Sequence, residues 1–334
     1  MNAQSKSQFK AITDGLVALL DHVNSRAGTG TTNTQGFDPE AYSKELKSIG
    51  SKLSKDFASL YFACKPPASF QDVATVLDEL GRTATRLVSL FDAIPGSVGA
   101  TLFREYQVRV ADVLQNSVAL VGQYTAIYCS QDVTTVGVNL EGLTGAIAAA
   151  VDRLAQIPLD NRAAVLRKWN VEVVGLVQDA YEELRESIED SLEEASDICG
   201  GDGGNNSSDS EEYFLCGSEA DFDLKIPQQI LPLARQGLKL LYLTLCACKK
   251  IMVSSINGCR DLNDETITWL DQLLEVGADV PPQVDTLVSA LSECEDANSD
   301  AAEARICVEY RELALRVAKM VGLAMKQTKS KQQE

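Results

Sequence analysis

Side chains that could perform catalysis or bind a metal are few in this sequence and poorly spaced for either task. The chain has one histidine, His22, near the end of a predicted helix, and a single imidazole without a partner cannot complete a Cys-His or Ser-His-Asp unit. Cys246 and Cys248 are two residues apart, which on a helix turns their thiols about 160° apart around the axis. The two thiols therefore cannot share a zinc ion, and we predict no catalytic and no metal site.

Phosphate-binding motifs are also missing. The glycines within residues 200–204 adjoin acidic residues rather than a lysine, so this segment would repel a phosphate group. Neither the dinucleotide fingerprint nor the P-loop pattern occurs. The many carboxylates before Asp197 are typical of a solvated acidic helix face rather than of acid–base catalysis. We expect a protein that is not an enzyme and that has no cofactor.

The charge of the chain is strongly negative and unevenly distributed. Thirty Lys and Arg residues oppose forty-eight Asp and Glu, a net charge of −18. Residues 179–223 alone contain sixteen acids and one base, Arg185. We find no basic patch apart from Lys326, Lys329 and Lys331, which we interpret as part of a frayed tail. Direct binding to nucleic acid or to an anionic membrane surface is therefore not expected.

Composition indicates a globular protein in a reducing compartment. The chain has 334 residues, 45% of them hydrophobic and 23% charged, and this length favours two domains. Nine cysteines, an odd number spread along the chain, do not form the pattern of a disulfide scaffold. The longest strongly apolar run, residues 240–248, is far shorter than the roughly 20 residues that cross a bilayer. We expect a soluble intracellular protein.

Apolar residues recur with helical spacing almost everywhere, and no strand alternation is convincing, which predicts an all-α protein. We predict two antiparallel helical bundles, similar to those of vinculin and catenin, joined through a long helix and an acidic loop. The predicted division is an N-terminal helix with a flexible connector (1–36), an N-terminal bundle (37–198), an acidic disordered linker (199–225), a C-terminal four-helix bundle (226–328) and a tail (329–334).

Two predicted helices flank the acidic linker. The first begins at Asp160, a favourable N-cap residue, and continues to about Asp197. The second begins near Pro227 and carries an apolar seam at heptad spacing. Within the linker, Ser208 has Glu211 three residues later and Ser207 has Ser210, the spacing read by acid-directed kinases. The serines Ser207, Ser208 and Ser210 are therefore candidate phosphorylation sites, although an unmodified polar linker explains them equally well.

The order of several short motifs resembles that of the cyclin-D-binding protein family, also called GCIP or maternal Id-like molecule. The long helix opens with IPLDNRAA (157–164) and contains DAYEEL (179–184), and the next helix opens with LKIP (224–227). LSKDF (53–57), LD (270–271) and PPQVD (281–285) complete the series. The likeness extends over nearly the whole chain from about residue 37.

This resemblance implies a non-enzymatic regulator found in cytoplasm and nucleus. Family members bind D-type cyclins and restrain cell-cycle progression and transcription. They are also described as helix-loop-helix proteins without a basic region that capture helix-loop-helix transcription factors. For this reading, the candidate partner-binding residues lie on the two helices that flank the linker: Leu184, Ile188, Leu192, Leu231, Leu238 and Leu245. The alternative is a cytoskeletal adaptor like the vinculin, talin and catenin rods, whose bundles open a groove for amphipathic helices.

Overall fold

The computed structural model describes residues 3–26, 37–65, 70–129, 140–199, 226–293 and 300–330, and no strand occurs in these ranges. The predicted all-α, helical-bundle class is confirmed. The α-helices of the described ranges are α1 (Ala3–Ser25), α2 (Pro39–Ala63), α3 (Phe70–Asp92), α4 (Ala100–Cys129), α5 (Leu140–Leu154), α6 (Asn161–Lys168), α7 (Leu176–Cys199), α8 (Leu231–Ile251), α9 (Asp264–Ala278), α10 (Val280–Ser292) and α11 (Asp300–Ser330).

The chain forms two compact units. The first comprises Met1–Val165 with Leu262–Asp271, and the second comprises Leu166–Asp261 with Gln272–Glu334. The sequence placed residues 166–198 in the N-terminal bundle, but α7 packs on α8 and α10, so this stretch belongs to the second unit. The linker 199–225 lies outside the described residues apart from the last residue of α7, and its role as a domain boundary stays a prediction.

The first unit is built around α1 to α5. Helix α1 packs on α3 and α4, while α2 packs on α3 and α5. Phe9, Leu16 and Val23 recur at every seventh position of α1, and all three side chains are buried, because this spacing keeps them on one face of the helix. Helix α2 starts where the Asp38 carboxylate accepts hydrogen bonds from the Glu40 and Ala41 amides, a cap that contributes about 1 kcal/mol.

The N-terminus of α4 is held by two side chains from distant parts of the first unit. The amides of Ala100 and Thr101 donate to the Asp271 carboxylate at 2.7 and 3.1 Å, and the Leu102 amide donates to Asn161 Oδ1 at 3.0 Å. The preceding Gly99 has φ of 101°, and a Cβ there would lie 2.2 Å from Asn161 Cγ. Only glycine therefore fits at this position.

The long helix predicted to begin at Asp160 is observed, with an interruption. The Asp160 carboxylate accepts a hydrogen bond from the Ala163 amide at 2.7 Å, which confirms the predicted cap. Between α6 and α7, however, residues Trp169–Gly175 form a π-helical stretch, which has a wider turn than an α-helix. Trp169 is fully buried there, and its Nε1 donates to the Cys248 carbonyl at 3.1 Å.

Candidate partner-binding surface

The six leucine and isoleucine residues predicted to contact a partner all lie in the second unit, on α7 and α8. Most of them face the interior: the buried members are Leu184, Ile188, Leu231 and Leu245. Leu238 is half-buried, and Leu192 is 38% exposed. The predicted apolar residues of α7 and α8 thus pack between these two helices. Among the six, only Leu192 is exposed to a partner.

Burial limits how these residues could contact a partner. A fully buried leucine contributes about 1.5–3 kcal/mol relative to an exposed one, so presenting Leu184 or Leu245 to another protein would require α7 and α8 to separate. The role of the six residues in partner binding stays a prediction. The candidate phosphorylation sites Ser207, Ser208 and Ser210 lie outside the described residues.

The exposed side of α7 is acidic. Its exposed carboxylates are those of Asp179, Glu182, Glu183, Glu186, Glu189, Asp190 and Glu193. The single base in this stretch, Arg185, lies 3.8 Å from Glu186 and 3.9 Å from Glu189. On the buried side, the hydroxyls of Ser187 and Ser191 donate to backbone carbonyls one turn earlier, so the polar groups there are satisfied within the helix.

The exposed side of α8 has the opposite character, which the sequence analysis missed. Residues 226–260 contain five bases and no acid, in a chain whose overall charge is −18. We call the exposed stripe of this helix the α8 outer face; its residues are Arg235, Lys239, Tyr242, Leu243, Cys246 and Lys250, and all are exposed. The prediction that the chain has no basic patch beyond its C-terminal tail was therefore wrong. The acid-free stretch and its helical spacing were the signal that could have revealed the α8 outer face.

Contacts between α7 and α8 fix one edge of this face. The rings of Tyr181 and Tyr242 have centroids 6.1 Å apart, and Lys249 Nζ donates to Gln178 Oε1 at 3.1 Å. A hydrogen bond with the Cys246 side chain raises the pKa of Tyr242 above its ordinary value, so this phenol stays neutral at physiological pH. The face therefore combines fixed positive charge with uncharged, partly aromatic surface.

His22 and the cysteine pair Cys246 and Cys248 belong to different compact units. Burial raises the pKa of the Cys248 thiol to about 12, which keeps it protonated and unreactive near neutral pH. His22 is exposed in the first unit, with Nε2 3.0 Å from Asp92 Oδ1. Within the described ranges, no three His, Cys, Asp or Glu side chains are grouped so that they could hold a metal ion. None of the helices seen there is both long and apolar enough to cross a bilayer.

The described parts of the chain thus define an all-α protein whose distinctive surface features are charged helix faces. Residues 45–190 match the family model described as Grap2 and cyclin-D-interacting, N-terminal. This region extends from α2 into α7 and includes the IPLDNRAA and DAYEEL motifs.

Similarity to individual proteins extends over most of the chain. The cyclin-D1-binding protein 1 homolog of Danio rerio is 27% identical over 283 residues, covering 85% of this chain and 76% of that protein. Cyclin-D1-binding protein 1 of Rattus norvegicus is 24% identical, covering 84% and 76%, and that of Homo sapiens is 22% identical, covering 86% and 78%. These matches confirm the resemblance of the chain to the cyclin-D-binding protein family.

Proposed function

We propose that this chain is a non-enzymatic interaction protein that binds a D-type cyclin and thereby restrains cell-cycle progression and transcription. The observation that carries the proposal is the alignment of proteins named cyclin-D1-binding protein 1 over about 85% of the chain. The alignment includes both compact units, so the surfaces of α7 and α8 are within the region that the relatives share.

The acidic side of α7 supports this proposal physically. Seven exposed carboxylates on one helix create a negative potential that attracts a basic partner surface and accelerates association. Between exposed charges this attraction decays over a Debye length, about 10 Å at 0.1 M salt. Binding through α7 should therefore weaken as salt is added.

The burial and the hydrogen-bond partners of the reactive side chains support a non-enzymatic role. The thiol of Cys248 is buried and protonated, and the exposed imidazole of His22 pairs with a carboxylate on the surface. Within the described ranges the His22 imidazole is hydrogen-bonded only to Asp92, so this pair lacks the nucleophile that a Cys-His or Ser-His-Asp unit requires. Binding without catalysis is the function that these side chains support.

We also propose that the chain binds helix-loop-helix transcription factors, which would require a rearrangement of α7 and α8. Because Leu184 and Leu245 lie in the interior, capture of a partner helix through them requires α7 to part from α8. Partners that bind the exposed sides of these helices have no such requirement. We propose D-type cyclin as the principal partner, with the protein acting in cytoplasm and nucleus.

Charge-reversal variants of α7 test this proposal. We expect Glu182→Lys with Glu186→Lys to weaken binding to a purified D-type cyclin, measured by calorimetry. The matched control, Glu303→Lys with Glu312→Lys on α11, makes the same charge change at exposed positions and should bind as the unmodified chain does. Equal weakening by both pairs would show that only net charge matters. A folded chain that binds no cyclin but binds amphipathic helices of adhesion proteins would favour the adaptor alternative.

A further inference from the structure

The α8 outer face is a continuous stripe along one side of the helix. Arg235, Lys239, Tyr242, Cys246 and Lys250 follow each other at intervals of three or four residues, which places their side chains on a common face. From Arg235 to Lys250 this stripe is about 22 Å long at 1.5 Å per residue, or roughly four helical turns. The opposite face of α8 is buried in the second unit through residues such as Ala234 and Leu241.

Two adjacent large apolar side chains are exposed on this stripe. Tyr242 is 53% exposed and Leu243 is 63% exposed. Just beyond the end of α8, Val253 is 61% exposed. Single exposed apolar residues are ordinary on protein surfaces, but a group of neighbouring ones rimmed by charge marks an interaction site.

The positive charges around these apolar side chains have no ion-pair partner among the residues that the structure describes. Arg235, Lys239 and Lys250 form no ion pair with any residue in the described ranges. Lys249, at the edge of the face, donates to the neutral amide of Gln178 rather than to a carboxylate of α7. Lysine and arginine stems can also cover apolar surface while their charged ends point to solvent, so a partner can contact both parts of this face.

We propose that the α8 outer face is a docking surface for an acidic amphipathic segment of a partner protein. Carboxylates of that segment pair with Arg235, Lys239 and Lys250, while its apolar residues cover Tyr242 and Leu243. A helix of about four turns matches the length of the stripe. The proposal does not rest on D-type cyclin binding, because it is argued only from the charge and exposure of α8.

The charge distribution of the second unit favours a short protein segment over a nucleic acid duplex or an anionic membrane. A nucleic acid duplex or an anionic membrane extends well beyond a stripe about 22 Å long, and the neighbouring helix α7 carries exposed carboxylates that repel a polyanion. A short acidic segment confined to α8 brings fewer negative charges near α7 and so meets less of this repulsion. The phosphate backbone of a nucleic acid also has no apolar surface matched to the exposed side chain of Leu243.

A peptide titration with the full chain tests the proposal. The probe is a fluorescein-labelled synthetic helix of four turns, with leucines at i, i+3, i+4 and i+7 and glutamates directly flanking this apolar line. A control peptide has every leucine replaced by serine at the same charge. We expect the first peptide to bind, and the control to bind about tenfold more weakly because it lacks the apolar contacts.

Variants locate the binding site. Lys239→Glu with Lys250→Glu should weaken binding of the leucine peptide by about tenfold or more, and Leu243→Ser should weaken it independently. The matched control, Lys319→Glu with Lys326→Glu on α11, reverses two exposed lysines of the same unit and should leave binding unchanged. In the unmodified chain, bound peptide should protect exposed Cys246 from alkylation by iodoacetamide but leave exposed Cys307 reactive.

Several results would overturn the proposal: no binding of the leucine peptide, equal binding of the serine peptide, or equal loss in both lysine pairs. Tighter binding to a DNA duplex or to phosphatidylserine vesicles would reassign the face to a polyanion. Because no cyclin is present in the assay, a failure of cyclin binding leaves this test unaffected. Circular dichroism of each variant verifies that a loss of binding is not a loss of fold.

Discussion

Asn161 and Asp271 form a hydrogen bond across 110 positions of sequence, with Asn161 Nδ2 donating to Asp271 Oδ1 at 3.0 Å. Both side chains also accept hydrogen bonds from the first amides of α4, which otherwise have no partner within that helix. The IPLDNRAA and LD motifs, which carried part of the family resemblance, therefore meet at the start of α4. These motif residues link Asn161 and Asp271 to the start of α4 within the first unit.

Removing this cap should destabilise the protein. Asp271→Ala leaves the Ala100 and Thr101 amides without their acceptor, and we expect a loss of about 1–3 kcal/mol in the free energy of unfolding. Urea unfolding followed by circular dichroism measures the change. Glu275→Ala, an exposed position of the same helix, is the matched control and should have little effect. A stability loss equal in both variants would contradict the capping role.

Close packing against Trp169 makes Gly277 sensitive to any side chain. A Cβ at Gly277 would lie 2.4 Å from Trp169 Cζ3, and the fully buried ring has little space to move. We expect Gly277→Ala to destabilise the protein by about 1–3 kcal/mol, seen in thermal unfolding. At Gly322 in α11 a Cβ meets nothing within 4 Å, so Gly322→Ala should be neutral or stabilising. If the two variants unfold alike, the packing against Trp169 is not tight.

Burial separates the predicted partner contacts into two classes. Leu184→Ala should cost about 2–5 kcal/mol of stability because it leaves a cavity in the second unit. Leu192→Ala, at a position 38% exposed, should cost less than about 1 kcal/mol. Chemical denaturation of both variants gives the comparison. A mild effect of Leu184→Ala combined with a loss of partner binding would instead place Leu184 at an interface.

The buried thiol of Cys248 should make the stability of the protein fall at alkaline pH. Its pKa is about 12 in the folded chain against an ordinary value of 9.0, so between these values the unfolded state loses a proton that the folded state keeps. The stability contributed by the neutral thiol is complete below pH 9 and is lost as pH rises from about 9 towards 12. Cys248→Ala should make the decline in melting temperature shallower over this window, and Ser254→Ala, at an exposed position without a titrating side chain, should not. Identical declines in both variants would contradict this assignment.

Local patterns were sufficient to predict the helices and several of their ends. The seven-residue spacing of Leu16 and Val23 keeps both side chains on the buried face of α1, and Asp160 predicted the start of the long helix. These features depend on residues that are neighbours along one helix, so the sequence contains them directly.

Contacts between residues far apart in the sequence could not be predicted from local patterns. Nothing near Asp271 indicates that its carboxylate caps α4, because its amide partners lie 170 and 171 positions away. The π-helical stretch at Trp169 interrupts a pattern that reads as continuous, since one widened turn barely changes the apolar periodicity. The basic stripe on α8 was overlooked because the net charge of the whole chain conceals a local excess of the opposite sign.

The most direct test of the account is a calorimetric titration of the unmodified full chain with a purified D-type cyclin at low and moderate salt. We expect saturable binding, micromolar or tighter, that weakens as salt screens the exposed carboxylates of α7. A folded chain that shows no heat of binding at either salt concentration would contradict it, and so would an affinity that does not change with salt.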